Sequence, residues 1–163
     1  MVKNSGRQKG FTLLEMIFAI TIISVGVLGI YNGMSFAIAN TQKAREFFMG
    51  AYLAQEGIEI VKNMRDTNWV ANSAWDSGLI CGSGCEADYS TASSTFSSTP
   101  YTGRYLKMDP GGFYNYSSGT STIYKRKITV NEPGTSTINI TVDVYFKGVT
   151  TTVKENIRNW YLP

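Results

Sequence analysis

A single carboxylate inside a long apolar run is the first feature of this sequence that could do chemistry. The run covers residues 11–30, in which only Thr12, Glu15, Thr21 and Ser24 carry polar side chains. Read as an α-helix, it is about 30 Å long, which matches the hydrocarbon core of a bilayer. Because a carboxylate in that core costs roughly 3 kcal/mol, Glu15 requires a partner. The sequence therefore predicts a membrane-spanning helix whose one acid pairs with another group.

A short basic segment precedes this run. Residues 1–10 contain Lys3, Arg7 and Lys9 and no acidic residue. Positive charge before a span, with none close behind it, predicts a cytoplasmic N-terminus and an exported remainder. The 163-residue chain has a net charge of +3, which those three cations account for. The basic excess is therefore a topology signal and gives no sign of nucleic-acid binding.

The hexapeptide Gly10-Phe-Thr-Leu-Leu-Glu15 and its basic leader resemble the class III signal of type IV pilins and type II secretion pseudopilins. In that family a prepilin peptidase cuts after the glycine and methylates the new N-terminal phenylalanine. The resemblance implies cleavage between Gly10 and Phe11, N-methylation of Phe11, and retention of the apolar helix. The new amine would pair with Glu15 of a neighbouring subunit, so that two costly charges offset each other. The alternative is a plain signal anchor, in which the helix dipole and lipid headgroups stabilise Glu15.

An amphipathic stretch follows the apolar run and predicts that the helix continues to about Met64. Apolar residues recur there at three- and four-residue steps, with charged residues largely between them. The stripe consists of Ala44, Phe47 or Phe48, Ala51, Ala54, Ile58 and Val61. We expect the first half of the helix in lipid or against sister helices, and the second half on a globular domain. Residues 51–65 resemble the same region of PilV/GspI-type minor pilins and pseudopilins.

One departure from the family pattern favours a minor over a major subunit. Many major pilins carry a helix-kinking proline, whereas the corresponding position here is Asn32 and the first proline is Pro100. Gly26, Gly29 and Gly33 could loosen the helix instead. They could equally let neighbouring helices pack closely in the membrane.

Residues 66–120 have the composition of loops and short strands, and this place is the variable connecting loop in pilins. We expect Asp66-Thr-Asn-Trp69 to break the helical pattern. Residues 81–85 are expected to form a tight, turn-like loop, and the Ser/Thr-rich residues 90–100 a solvated loop.

The last third of the chain predicts an antiparallel sheet. Residues 121–130 are one expected strand, and residues 137–146 are a second, which alternates apolar and polar side chains. Residues 132–135 and Lys147-Gly148 are expected turns, and residues 149–160 are the returning strand. A long helix laid on such a meander is an α+β arrangement and fits the pilin fold.

The expected organisation has three parts. Residues 1–10 are a cleavable leader, residues 11–34 are the transmembrane and assembly segment, and residues 35–163 are an extracytoplasmic globular pilin domain. Within that domain, the expected order is amphipathic helix, variable loop region and antiparallel sheet, at residues 35–65, 66–120 and 121–163.

The two cysteines, Cys81 and Cys85, are the next candidates for chemistry. Their spacing is not Cys-x-x-Cys, and no second pair of ligands is present for a zinc site. Because we expect this part of the chain outside the cytoplasm, a structural disulfide is favoured over a redox or metal site.

Nothing in the sequence predicts an enzyme or a cofactor. The chain contains no histidine, and no serine lies in a Gly-x-Ser-x-Gly elbow. Asp76, Glu86, Asp88 and Asp109 could supply calcium ligands, but no EF-hand-like spacing supports such a site, and we predict no metal.

The cluster Tyr124-Lys-Arg-Lys127 is the one basic cluster outside the leader. Aromatic residues among basic ones would suit a DNA-uptake component. On a strand, however, Lys125 and Lys127 project to one face and Arg126 to the other. We therefore predict a solvated edge strand protected by lysines and no nucleic-acid partner.

Together these features predict a structural minor pilin or pseudopilin that catalyses nothing. Its expected partners are other pilin subunits through the N-terminal helix, the prepilin peptidase and methyltransferase, and the inner-membrane assembly platform. It would cross the cytoplasmic membrane once and later enter an extracytoplasmic filament of a type IV pilus or type II secretion pseudopilus. The alternative is a membrane-anchored binding module, such as an adhesin or DNA-uptake component.

Overall fold

A long helix followed by antiparallel sheet accounts for most of the chain, as predicted. The computed structural model describes residues 10–134 and 136–160. Helix α1 (Leu13–Val70) comprises 58 residues. The chain divides into two units, the first ending at Ala44 and the second beginning at Arg45. The α+β class is therefore confirmed.

The C-terminal end of α1 differs from its prediction, because the helix passes through Asp66-Thr-Asn-Trp69 and ends at Val70. The Thr67 hydroxyl donates to the Asn63 carbonyl at 2.8 Å. The side-chain amide of the buried Asn68 donates to the backbone carbonyls of Trp75 and Ser77 at 3.2 and 2.9 Å. This stretch was expected to break the helical pattern, but the side chains of Thr67 and Asn68 find hydrogen-bond partners while the helix continues.

A four-stranded antiparallel sheet forms the other layer of the second unit. Its strands are β1 (Cys81–Cys85), β5 (Lys125–Gly134), β6 (Thr137–Phe146) and β7 (Val149–Arg158). They lie in the order β1-β5-β6-β7. Strand β6 occupies the predicted residues and buries every second side chain. The predicted period of two is therefore confirmed.

The connection between β6 and β7 is the predicted two-residue turn. Lys147 and Gly148 have φ values of 46° and 78°. Positive φ at both central positions is the conformation of a type I′ turn, whose twist matches that of the paired strands. Glycine adopts that conformation readily, whereas Lys147 adopts it because the paired strands on either side of the turn constrain it.

Several short elements occupy the region that was predicted to be a variable loop. These are α2 (Ser93–Phe96), β2 (Lys107–Met108), β3 (Tyr114–Asn115) and β4 (Thr120–Ser121). The three short strands form a second sheet in the order β3-β2-β4. Phe96 is wholly buried, so this Ser/Thr-rich segment is anchored to the core.

Two strand boundaries were wrongly predicted. The expected strand at residues 121–130 is interrupted, because the Thr122 amide and hydroxyl both donate to the Leu106 carbonyl. Strand β5 then begins at Lys125 and continues to Gly134, through most of the predicted turn. Its register with β6 is irregular between Asn131 and Gly134. Thr135 lies outside the described residues.

The segment from Cys81 to Cys85 is a strand, which corrects the predicted turn-like loop. Cys81 lies opposite Val130, and Cys85 lies opposite Ile128. Four residue steps on β1 therefore face two on β5, which is an irregularity of the β-bulge kind. Pairing with β5 makes this segment an edge strand of the larger sheet.

The buried stripe of α1 begins later than predicted. Leu53, Ala54, Ile58 and Val61 are core residues, together with Met64. Of the predicted stripe, Ala44, Phe47 and Phe48 are exposed, and Ala51 is half-buried. The reason is that Phe146, the last residue of β6, lies against Gly50. Helix residues before Gly50 in the second unit therefore extend past the end of that strand.

Close packing between α1 and β6 depends on Gly57. A Cβ at this position would lie 2.9 Å from Val142 Cγ1 and 3.2 Å from Arg126 Cδ. Gly57→Val is therefore expected to lower the free energy of unfolding by about 2 kcal/mol, since overpacking of a core usually costs 1–3 kcal/mol. Urea unfolding of the full chain in detergent, followed by tryptophan fluorescence, measures this.

The matched control is Gly33→Val, where an added Cβ meets no atom within 4 Å. Both changes replace a helical glycine with valine, so their intrinsic helix propensities cancel in the comparison. Equal stabilities of the two variants would show that the space between α1 and β6 is not limiting.

The basic residue Arg126 corrects another prediction. Strand β5 lies between β1 and β6 and is not an edge strand. Lys125 and Lys127 do project to one face, but Arg126 on the other face is wholly buried. Its guanidinium donates to the carbonyls of Leu53 and Ala87 at 3.1 and 2.6 Å. It also lies 3.4 Å from Glu56.

Candidate functional site

The start of α1 is built by the residues that were predicted to carry the processing signal. Thr12 immediately precedes the helix, and its hydroxyl accepts a hydrogen bond from the Glu15 amide at 3.3 Å. The Thr12 carbonyl accepts from the Met16 amide at 3.2 Å. Thr12 is therefore the N-cap, and Glu15 falls in the first helical turn.

The sequence reasoning overlooked this role of Thr12. A threonine followed three residues later by glutamate, just before an apolar run, is the signature of a capping box. The pattern Thr12-Leu-Leu-Glu15 has that form. It fixes the point at which the helix begins and therefore the position of the carboxylate on its first turn.

The Glu15 carboxylate has no partner among residues 10–134 and 136–160. Its residue is exposed. The other two polar side chains of the run bond to the backbone of their own helix. Thr21 donates to the Ile17 carbonyl at 2.8 Å, and Ser24 donates to the Ile20 carbonyl at 2.7 Å. Thus Thr21 and Ser24 have hydrogen-bond partners within the helix, whereas the Glu15 carboxylate remains available to a partner on another molecule.

The apolar side chains around Glu15 are also exposed. By length and composition, α1 is suited to cross a membrane, and its most apolar window has a mean hydropathy of 2.4 with none of it buried. Phe11 and Leu13 are each 80% exposed. Such a surface requires lipid or other apolar helices around it.

The residues at the predicted cleavage point are accessible. Gly10 and Phe11 precede the helix and are both exposed, so the peptide bond between them is not enclosed by helical structure. The predicted topology charges Lys3, Arg7 and Lys9 lie outside the described residues.

The cysteines lie in the second unit, far along the chain from the N-terminal signal. Cys81 and Cys85 form a disulfide, with their Cα atoms 6.1 Å apart, and both residues are buried. The bond connects the two ends of β1 across its irregular register with β5. It belongs to the architecture of the sheet and not to the N-terminal segment.

The acidic residues considered for calcium are distributed over separate contacts. Glu86 accepts hydrogen bonds from the amides of Thr102 and Arg104 at 3.0 and 2.9 Å. Burial alone would raise the pKa of Glu86, but these bonds and the Arg104 guanidinium hold it below its ordinary value. Asp88 likewise accepts from Ser90 and from the Tyr116 amide. In the part of the chain that the structure describes, no three acidic or cysteine side chains come together around a metal position.

Comparison with known proteins bears on the N-terminal segment. The prokaryotic N-terminal methylation motif matches residues 5–31. No curated protein and no solved structure matches the chain. The motif is a structural pilin signal and does not describe an enzyme family. It covers the capped helix start, the open carboxylate and the apolar run, and the rest of the chain adds the helix-and-sheet layout. The chain therefore combines the prokaryotic N-terminal methylation motif with a pilin-like layout of one long helix and antiparallel sheet.

Proposed function

We propose that the protein is a structural minor pilin or pseudopilin subunit that assembles through α1 after cleavage between Gly10 and Phe11. The observation that carries this proposal is the combination, in one helical segment, of a carboxylate without a partner among the described residues and an exposed apolar surface. A soluble domain gains nothing from such a segment. A helix that moves from lipid into a bundle of similar helices uses both features.

In the proposed sequence of events, the leader first holds the N-terminus in the cytoplasm while α1 crosses the membrane once. The peptidase then hydrolyses the Gly10–Phe11 bond, which releases residues 1–10 and leaves a free amine on Phe11. N-methylation of that amine keeps its positive charge. The assembly platform then transfers the processed helix into an extracytoplasmic filament.

Within the filament, the amine of one subunit pairs with Glu15 of its neighbour. Desolvation of either charge alone is costly, and pairing offsets that cost. The Thr12 cap supports this arrangement because it places the carboxylate on the first helical turn. The pairing would couple assembly to a fixed axial register between neighbouring helices.

Mass spectrometry of the protein from membranes that contain a prepilin peptidase tests the processing step. We expect loss of residues 1–10 and one methyl group on Phe11. The matched control is Gly10→Val, which should retain the leader, because the family's peptidase cuts after glycine. An intact Met1 N-terminus in the wild-type protein would reject processing and favour a plain signal anchor.

A further inference from the structure

The surface of the four-stranded sheet that points away from α1 is polar and basic. The opposite surface is the core side, as the contact of Val142 with Gly57 shows. We use the name outer face for the alternate side chains of β5, β6 and β7 that point away from it. Its members are Lys125, Lys127, Thr129, Asn131, Thr137, Asn139, Thr141, Asp143, Tyr145, Thr150, Thr152, Lys154, Asn156 and Arg158.

Charge is concentrated on the outer face. It carries four cations and one carboxylate, Asp143, whereas the chain after residue 10 is neutral as a whole. Asp143 is engaged on its own face, since it accepts a hydrogen bond from the Thr152 hydroxyl at 2.7 Å. Glu132 lies next to the face, in the part of β5 whose register with β6 is irregular. A face with a net charge of +3 on an otherwise acidic domain attracts polyanions.

Aromatic rings hold the two β5 lysines over the sheet. Lys125 Nζ lies 4.5 Å from the centre of the Tyr105 ring, and Lys127 Nζ lies 5.9 Å from that of Tyr101. Tyr101 in turn packs on Tyr145, with ring centres 6.1 Å apart. The rings therefore position ammonium groups and are already covered by them. Stacking of nucleic-acid bases, which needs open ring faces, is correspondingly disfavoured.

Neutral hydrogen-bonding groups fill the middle of the face. Asn131, Asn139 and Asn156 lie opposite one another on three adjacent strands. Adjacent strands are about 4.8 Å apart, so the amides form a row across the sheet. Thr129 and Thr141 form a parallel row with Lys154. Each amide offers both donors and acceptors, as neighbouring sugar hydroxyls do.

We propose that the outer face binds an anionic polysaccharide, one that carries carboxylates on its sugar rings. The cations would pair with the carboxylates, while the asparagine row would exchange hydrogen bonds with hydroxyls. The face extends about 27 Å along β6, because Tyr145 lies eight residue steps beyond Thr137 at roughly 3.4 Å for each step. That length accommodates several sugar rings. Binding at this face does not require filament assembly and would be a second role beside the structural one.

The test measures binding of the full chain, in detergent micelles, to polygalacturonate. Neutral dextran, poly-glutamate and single-stranded DNA serve as comparison ligands. We expect the protein to bind polygalacturonate more tightly than it binds the three comparison ligands. This binding should weaken as ionic strength rises. The double variant Lys127→Gln with Lys154→Gln should raise the dissociation constant about tenfold.

A matched control removes two cations elsewhere, with Lys43→Gln and Lys107→Gln, and should bind as the wild type does. The double variant Asn139→Ala with Asn156→Ala should weaken polygalacturonate binding and leave poly-glutamate binding unchanged. Absence of polygalacturonate binding would overturn the proposal. Tighter binding of DNA or poly-glutamate, or an equal loss in the control variant, would also overturn it.

Discussion

Glu15→Gln is expected to reduce incorporation of the protein into filaments at least about tenfold while membrane insertion stays unchanged. The side chain keeps its size and loses its charge, so the amine of the neighbouring subunit would enter the helix bundle unpaired. Removing one partner of a buried ion pair costs about 3–5 kcal/mol, and each 1.4 kcal/mol is a factor of ten. Insertion depends on the apolar run, which the change leaves intact.

The comparison variant is Thr12→Val, which removes the hydroxyl that accepts from the Glu15 amide and keeps the carboxylate. Loss of an N-cap costs about 1 kcal/mol, so incorporation should fall much less. Each variant is co-expressed with the wild-type subunit, and its share in sheared filaments and in membranes is measured by immunoblotting. Normal incorporation of Glu15→Gln, or an equal loss in Thr12→Val, would contradict the pairing role.

The features that sequence reasoning predicted well are those that repeat over many residues. Strand β6 alternates over ten residues, and α1 carries its apolar run and then its stripe over more than fifty. A repeated pattern tolerates a local exception, because the sum of many side chains decides which face is buried. For this reason the fold class and the extent of β6 were both predictable.

The features that it missed depend on contacts between residues distant in sequence. Asn68 remains helical because carbonyls seven and nine residues later accept its amide. Residues 81–85 become a strand because β5 offers them a partner more than forty residues away. No local pattern contains this information, so composition alone indicated a helix break and a loop.

The candidate site was predictable in a different way. Glu15 is exceptional against its apolar surroundings, and the adjoining Thr12 carries the capping pattern, so both can be found from sequence alone. What the sequence could not supply is the partner of the carboxylate. No group within the described residues pairs with it, which is why its partner is proposed on another subunit.

The basic cluster on β5 illustrates the limit of local reasoning most clearly. Alternation correctly separated Arg126 from Lys125 and Lys127, but the sequence gives no sign of which face lies against α1. Arginine is rarely buried without partners. Here the helix and the segment after β1 each provide a carbonyl for Arg126. The result is a buried cation that joins three separate parts of the domain.

Arg126→Ala is therefore expected to destabilise the globular domain more than any surface change, by about 3–5 kcal/mol. The variant loses the hydrogen bonds to Leu53 and Ala87 and leaves an unfilled space against α1. Lys127→Ala is the matched control. Lys127 is adjacent to Arg126 but lies on the opposite face, and its truncation should lower the free energy of unfolding by about 0.5 kcal/mol. Urea unfolding of the full chain in detergent, followed by tryptophan fluorescence, gives both values.

Arg126→Met separates packing from hydrogen bonding in the same measurement. Methionine fills most of the space, and the partly exposed Glu56 can turn to water once its cation is gone. The Leu53 carbonyl is also placed to accept within α1, so the Ala87 carbonyl is the group whose loss of a donor matters most. We expect Arg126→Met to cost less than Arg126→Ala and more than Lys127→Ala. If all three variants were equally stable, Arg126 would not hold the helix, the sheet and the connecting segment together.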